Sequence, residues 1–305
     1  MSRRRFTELP ELPPRTHDFK ALERRFVTVP VAGRSKPVTL SYVQKGSGPL
    51  LLLVHGLLTS AYSWRYVISP LAASHTVVAV DLPGAGQSEA AADVTASPQS
   101  LAALLDGFVK ALGHERAYVV GNSMGGYLTL WWALLHPERF ERLFIIHAPG
   151  FPELRLYALR AALSLGFSRG LLAWLTRVPE QFALDNCHYH DMSLISREQT
   201  REYGAQLADD ARRECFRRNL YETMSPWTMR ELPAAVKAAG ARVPKTKLLW
   251  SRHDVLVSPA FGPRYQALLG GAELVWLDDS SHFTQVDSPE RTVEEILAFR
   301  APLRA

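Results

Sequence analysis

The sequence is short of cysteine, of long apolar runs and of charge blocks of one sign, and each shortage removes a class of protein. Cys187 and Cys215 are the only two cysteines in 305 residues and no Cys-x-x-Cys occurs, so a disulfide framework is excluded and reduced thiols are expected. "CHYHD" at 187 to 191 sets one thiol beside a His-x-His, too few ligands to specify a metal site, and neither metal nor cofactor is expected. No apolar run approaches the roughly 20 residues that span a bilayer, so no stable membrane insertion is expected and the location is read as cytoplasmic. The formal charge of +5 comes from scattered arginines. Without a basic block, an RNP-like aromatic strand or zinc-finger spacing, no nucleic-acid partner is expected. Repeats and low-complexity tracts are also missing, which excludes solenoids and linker arrays, and nothing specifies an oligomeric state.

What is present is ordinary globular chemistry, 47% hydrophobic and 21% charged. The opening "MSRRRF" has the arginines of a twin-arginine export signal. Glu8, Pro10, Glu11, Pro13, Pro14 and Arg15 follow where such a signal needs an apolar stretch, so residues 1–25 are read as a flexible tail. "RFVTVPVAGRSKPVTLSYVQKG" alternates and breaks like an antiparallel hairpin. Six short apolar runs then end in glycine or polar residues: 49 to 56, 75 to 84, 116 to 123, 142 to 150, 246 to 254 and 272 to 280. Continuous rather than alternating apolarity marks strands buried on both faces, as in a parallel sheet between helices. Helical segments separate several of them, one opening on the Ser97-Pro98 cap and closing on Gly113. The fold class is therefore α/β, a doubly wound, mostly parallel sheet. From Phe151 to about Arg230 the chain is helical throughout, too long for a connection. It is read as an inserted helical cap, residues 151–230, between core parts 26–150 and 231–305.

The strand-like "AYVVG" passes through Asn122 and Ser123 directly into "MGGYLTLWW". A serine on so sharp a strand-to-helix turn carries strained backbone angles, and side chains at 121 and 125 would collide, which accounts for Gly121 and Gly125. The turn presents the hydroxyl at a helix N-terminus, where the N–H of Met124 and the helix dipole favour negative charge. A hydroxyl needs a base to become a nucleophile. Of the ten histidines, His282 lies in the loop after the last apolar run. His147 also follows a strand but has no suitable acid between it and the serine. Asp254, after the preceding strand, is preferred as the orienting acid over Asp278 and Asp279, which are read as fixing the loop; His253 is read as a bystander. Acyl transfer also needs oxyanion donors. Gly56 permits close backbone approach in "VHGLLTS", Leu57 offers the second N–H beside Met124, and His55 is read as stiffening that loop.

Taken in order, "HGLLTSAYSW", "DLPGAGQS", "GNSMGG", "HPERF", "SRHDVLVSP" and "SSHFTQVDSPE" resemble the α/β-hydrolase fold superfamily across about residues 26 to 300, in particular its serine esterases and lipases with a helical cap. The resemblance implies a Ser123, Asp254, His282 triad, an oxyanion hole at Leu57 and Met124, and a cap between the sixth and seventh core strands. "GNSMGG" also resembles hydrolases that cleave carbon-carbon bonds in ring-fission products, although Leu57-Leu58 and Ser281-His282-Phe283 depart from their pattern. Haloalkane dehalogenases and epoxide hydrolases resemble the chain in length and around "AYSWR", but their nucleophile is an aspartate. Cap tyrosines such as Tyr189 and Tyr203 are accordingly read as packing residues. The expected activity is hydrolysis of small, apolar carboxylic esters through an acyl-enzyme. Carbon-carbon hydrolysis by the same triad is the alternative within enzymes, and a non-catalytic ligand-binding role the alternative outside them.

Overall fold

The protein is described by a computed structural model covering residues 4–300. Eight strands make one sheet: β1 (Arg24–Val29), β2 (Val38–Lys45), β3 (Leu50–Val54), β4 (Thr76–Val80), β5 (Ala117–Asn122), β6 (Phe140–Ile146), β7 (Thr246–Ser251) and β8 (Glu273–Leu277). Their spatial order is β1-β2-β4-β3-β5-β6-β7-β8. β1 pairs antiparallel with β2 in the expected hairpin, β2 pairs antiparallel with β4, and every other pairing is parallel. All six continuous apolar runs are strands.

Burial explains their composition. Leu50, Leu52 and Val54 of β3 face one core cluster while Leu51 and Leu53 face another, so neither face meets water. The first cluster is completed by α2 (Pro98–Ala111), α3 (Met124–Leu135) and α9 (Pro226–Ala239), the second by α1 (Ile68–Leu71) and α12 (Pro289–Ala298). α2 begins as its sequence requires: the Ser97 hydroxyl accepts from the Ser100 N–H at 3.1 Å, Pro98 occupies the first turn, and Gly113 beyond the end has φ +80°. The chain leaves β3 toward β4 on one side and β5 on the other, and the crevice at such a reversal, beyond the strands' carboxyl ends, is where ligands bind in open α/β sheets.

Between β6 and β7 lies a helical insertion of α4 (Leu154–Leu163), α5 (Ser168–Leu175), α6 (Pro179–Asn186), α7 (Arg197–Gly204) and α8 (Asp210–Arg218), followed by α9. The expected boundary at 230 is corrected, because α9 runs unbroken through Arg230. Its Met229, Leu232 and Val236 pack in the first core cluster, so the helix belongs to the sheet's covering layer. After β7 come α10 (Phe261–Leu268) and, before α12, the single turn α11 (Thr284–Asp287). Among the described residues no helix is long and apolar enough to cross a membrane.

The flexible tail expected over residues 1–25 is also corrected; residues 1–3 lie outside the described structure. From Arg4 onward the segment is a strap over the insertion and the core. Leu9 and Phe19 are each 3% exposed. The Phe6 N–H donates to Gln181 Oε1 at 3.0 Å, and the N–H groups of Arg197 and Glu198 donate to the carbonyls of Pro10 and Glu11 at 2.8 and 3.1 Å. Its prolines suppress helix and strand, but they also reduce the chain entropy lost on docking, so proline richness did not signal mobility. Phe19 packs edge-on against Tyr62 with ring centroids 5.3 Å apart. Phe19→Ala is therefore expected to lower the free energy of unfolding in urea by about 3 kcal/mol, whereas in a loose tail it would change nothing.

Candidate active site

Ser123 lies between β5 and α3 with φ +55° and ψ −125°, a conformation that costs a non-glycine residue on the order of 1–3 kcal/mol and persists only where its surroundings enforce it. Here the surroundings are backbone in close contact. The Ser123 N–H donates to the Ile146 carbonyl at 2.8 Å. A Cβ on Gly121 would sit 2.7 Å from the carbonyl of Gly125, and one on Gly125 would sit 2.2 Å from the carbonyl oxygen of Val54. At Gly56 a Cβ would come within 2.9 Å of Ser123 Cβ. The three glycines thus let β3, β5 and α3 converge on one serine.

The other expected residues gather at the same rim. His282 Nδ1 donates to Asp254 Oδ2 at 2.7 Å, and both side chains are almost fully buried. The second carboxylate oxygen, Oδ1, accepts the N–H groups of Leu256 and Val257 at 2.7 and 3.0 Å, which fixes the carboxylate plane. Burial opposes ionisation of Asp254. The facing imidazoles of His282 and His147 and the hydrogen bonds to it outweigh that cost and hold the carboxyl well below the usual range. With Nδ1–H committed to the carboxylate, the imidazole leaves Nε2 as the atom that can take a proton. Ser123, His282, Leu57 and Met124 all line one cavity of about 460 Å³. Among the described residues no hydrogen bond joins Ser123 Oγ to His282, a contact that in free enzymes commonly tightens only when substrate binds. Neither the Leu57 nor the Met124 N–H donates to another backbone group among the described residues, which leaves two unpaired donors beside the serine.

His55 braces this loop from behind. Its Nε2 accepts the Leu82 N–H at 3.0 Å and its Nδ1 lies 2.7 Å from the Gly56 carbonyl. Asp278 and Asp279 are exposed at the end of β8, where Asp278 pairs with Arg252, and His282 pairs with Asp254 instead. The His282 loop is held by Asn122, whose Nδ2 donates to the His282 carbonyl at 3.2 Å, and by Asp287, which accepts the Ser281 N–H at 2.9 Å and the His190 N–H of the insertion at 3.0 Å. Burial pushes the Asp287 carboxyl up to about 6, against the two backbone N–H groups it accepts.

Sequence reasoning set His147 aside, yet its Nδ1 lies 2.6 Å from Asp254 Oδ2 and the side chain is fully buried. The approach is too oblique to count as a hydrogen bond, so the contact is close but poorly aligned. Two histidines and an aspartate are a familiar ligand set, and these three converge. Nitrogens 2.6 and 2.7 Å from one shared oxygen are at hydrogen-bond spacing, closer than the roughly 3.3 Å between ligands held 2.0 Å from a tetrahedral ion. The only signal in the sequence was the position of His147 at a strand's carboxyl end, shared with several others. Tyr203, read as a packing residue, does pack edge-on with Tyr62 at 6.1 Å, and it also lines the cavity. Cys187 is buried against it, its thiol pushed up to about 12 by desolvation, which removes it as a thiolate ligand.

The model of the alpha/beta hydrolase fold family matches residues 49–289. The chain belongs to this family. It is 29% identical over 267 residues to the uncharacterized hydrolase YugF of Bacillus subtilis, covering 86% of this chain and 93% of the relative. Against the soluble epoxide hydrolase of a Corynebacterium it is 28% identical over 283 residues, 87% of this chain and 94% of that one. Among solved structures, a bacterial membrane phospholipase A superposes with a TM-score of 0.70 at 25% identity, over 91% of this chain and 85% of the other. As a member of the family the chain is a hydrolase.

The buried histidines set a pH dependence whose sign is fixed by the direction of their shifts. Desolvation lowers His147 below its ordinary value despite Asp254, and lowers His55 despite Asp81. Above the ordinary histidine range both folded and unfolded states are neutral there and stability is unaffected. Below it the unfolded chain takes up protons that the folded one refuses, and stability falls. Asp287 works the other way, but only as pH drops through about 6. Urea unfolding at about pH 7.5 and about pH 5.5 should show a loss on acidification, smaller by about 1 kcal/mol in His147→Asn, which cannot titrate.

Proposed function

We propose that the protein is a serine hydrolase of carboxylic esters with apolar acyl or aryl groups. The observation that carries the reading is a serine held at φ +55° on the floor of a cavity it shares with an aspartate-held histidine. Ser123 Oγ attacks the ester carbonyl carbon as His282 Nε2 takes its proton, and the carbonyl electron pair moves onto the oxygen facing the N–H groups of Leu57 and Met124. Collapse of the tetrahedral adduct breaks the bond to the alcohol, which leaves with the proton from His282. Water, deprotonated by the same nitrogen, then cleaves the acyl-serine. Asp254 stays ionised throughout and stabilises the imidazolium. The helical insertion serves as the cap that closes this cavity from water.

The lining favours an ester over the alternatives. It is largely leucine, phenylalanine and methionine, and among the described residues it includes no aspartate or glutamate. Ring-fission products carry a carboxylate, and among the described residues no arginine or lysine lines the cavity to receive one. The epoxide hydrolase likeness extends to the fold, whereas the nucleophile position here is Ser123. A purely ligand-binding role gives no reason to keep the strained turn.

Turnover of p-nitrophenyl esters from acetate to palmitate tests this directly. Ser123→Ala should lose on the order of a million-fold in kcat and Asp254→Asn on the order of ten-thousand-fold. Native protein that is inert on every ester but consumes a vinylogous diketone would move the assignment to carbon-carbon hydrolysis, and equal turnover by native and Ser123→Ala protein would remove Ser123 as nucleophile.

A further inference from the structure

The insertion carries a surface that its packing does not explain. Of thirteen large hydrophobic residues exposed among the described residues, seven fall in the 25 residues from Leu154 to Val178. Phe167, Leu171, Trp174, Leu175 and Val178 are 41–64% exposed and recur at intervals of three and four, which places them along one side of α5 and its ends. An apolar stripe of this kind left in water marks a contact site. The same 25 residues contain Arg155, Arg160, Arg169 and Arg177 and no carboxylate. Arg155 pairs with Glu153. Glu214 is shared between Arg169 and Arg217, so that cluster stays cationic. Arg177 has no carboxylate partner among the described residues; its guanidinium lies 4.8 Å from the Trp174 ring.

We propose that this face docks onto an anionic phospholipid surface. Apolar residues including an exposed tryptophan, flanked by arginines in a segment that itself carries no acid, match the interfacial plane of a bilayer, where acyl chains take the apolar side chains and headgroup phosphates the guanidinium groups. A second copy of the chain fits less well, because an isologous contact would set the same arginine-rich face against itself. The stripe is also continuous with the cavity: Leu171 and Leu175 are about half exposed and also line it. A docked molecule would therefore open its apolar pocket toward the lipid. The proposal concerns adhesion and stands whether or not Ser123 is the nucleophile.

The test is sedimentation of the full-length Ser123→Ala protein with sucrose-loaded vesicles, either of phosphatidylcholine alone or with about 30 mol % phosphatidylglycerol. Binding should be about tenfold stronger to the anionic vesicles and weaken in high salt. It should fall about tenfold in Phe167→Ser/Trp174→Ser and in Arg169→Gln/Arg177→Gln. None of these four residues lines the cavity, so turnover of a soluble short ester by the otherwise native protein should stay unchanged, which also reports that the variants fold. Brominated acyl chains should quench fluorescence in the native sequence and do so less in Trp174→Phe. The proposal is overturned by equal binding to both vesicle types, by binding that ignores the substitutions, by no binding at all, or by native self-association that the same substitutions abolish.

Discussion

The site depends on a steric constraint, the convergence of three backbone segments on Ser123. Its φ of +55° is costly, and the turn is held by the Ile146 carbonyl on one side and the β3 loop on the other. At Gly121, Gly125 and Gly56 around this turn a single added carbon would meet another chain atom at under 3 Å. The strain and the chemistry have one cause. Only a chain that reverses this abruptly sets the hydroxyl at the start of α3, and the order of strands around β3 brings Leu57 to the cavity that Ser123 and Met124 line.

Much of this was legible because it is local or carried by strand order. Six apolar runs became six strands, and the groups that follow strands share a rim whatever the details of packing. Asp254 and His282 could be paired from chain order because β7 and β8 are neighbours, with Leu248 opposite Leu274 and Trp250 opposite Trp276. Illegible features depend on tertiary contacts with no local signature. The docking of Leu9 and Phe19 is invisible in a proline-rich stretch, since the residues that receive them lie far along the chain. The boundary at 230 failed because α9 reads as helix on either side of it, and only its partner, the sheet-covering layer, shows to which part it belongs. His147 was unreadable as a neighbour of Asp254 because that contact is made across β6 and β7, through strand ends rather than spacing.

The insertion is fastened unevenly. Along one edge Arg65, buried between the rings of Tyr62 and Tyr66 at 4.5 and 4.4 Å, donates to Gln199 of α7 at 3.0 Å. Nearby Glu198 accepts the Tyr62 hydroxyl at 2.6 Å, the amino-terminal strap bonds to α6 and α7, and Gln206 donates to the Thr59 carbonyl. Motion about that edge would break several buried polar contacts at once. The α4–α5 edge is held chiefly by apolar contacts around the cavity and by solvent-exposed ion pairs, which are individually weak. The insertion is therefore held more weakly along α4 and α5 than along the edge that Arg65 fastens.

Asp254 faces two imidazoles with one oxygen, and the two rings sit in different surroundings. His147 is sealed against Trp250 with ring centroids 5.6 Å apart, and desolvation keeps it below the ordinary histidine range despite the carboxylate. His282 instead lines the cavity and makes the well-aligned hydrogen bond to the carboxylate. The two rings lie 5.6 Å apart, so a charge on one further disfavours a charge on the other. Near neutral pH His147 is therefore uncharged, so it brings no buried positive charge against the pair that Asp254 forms with His282.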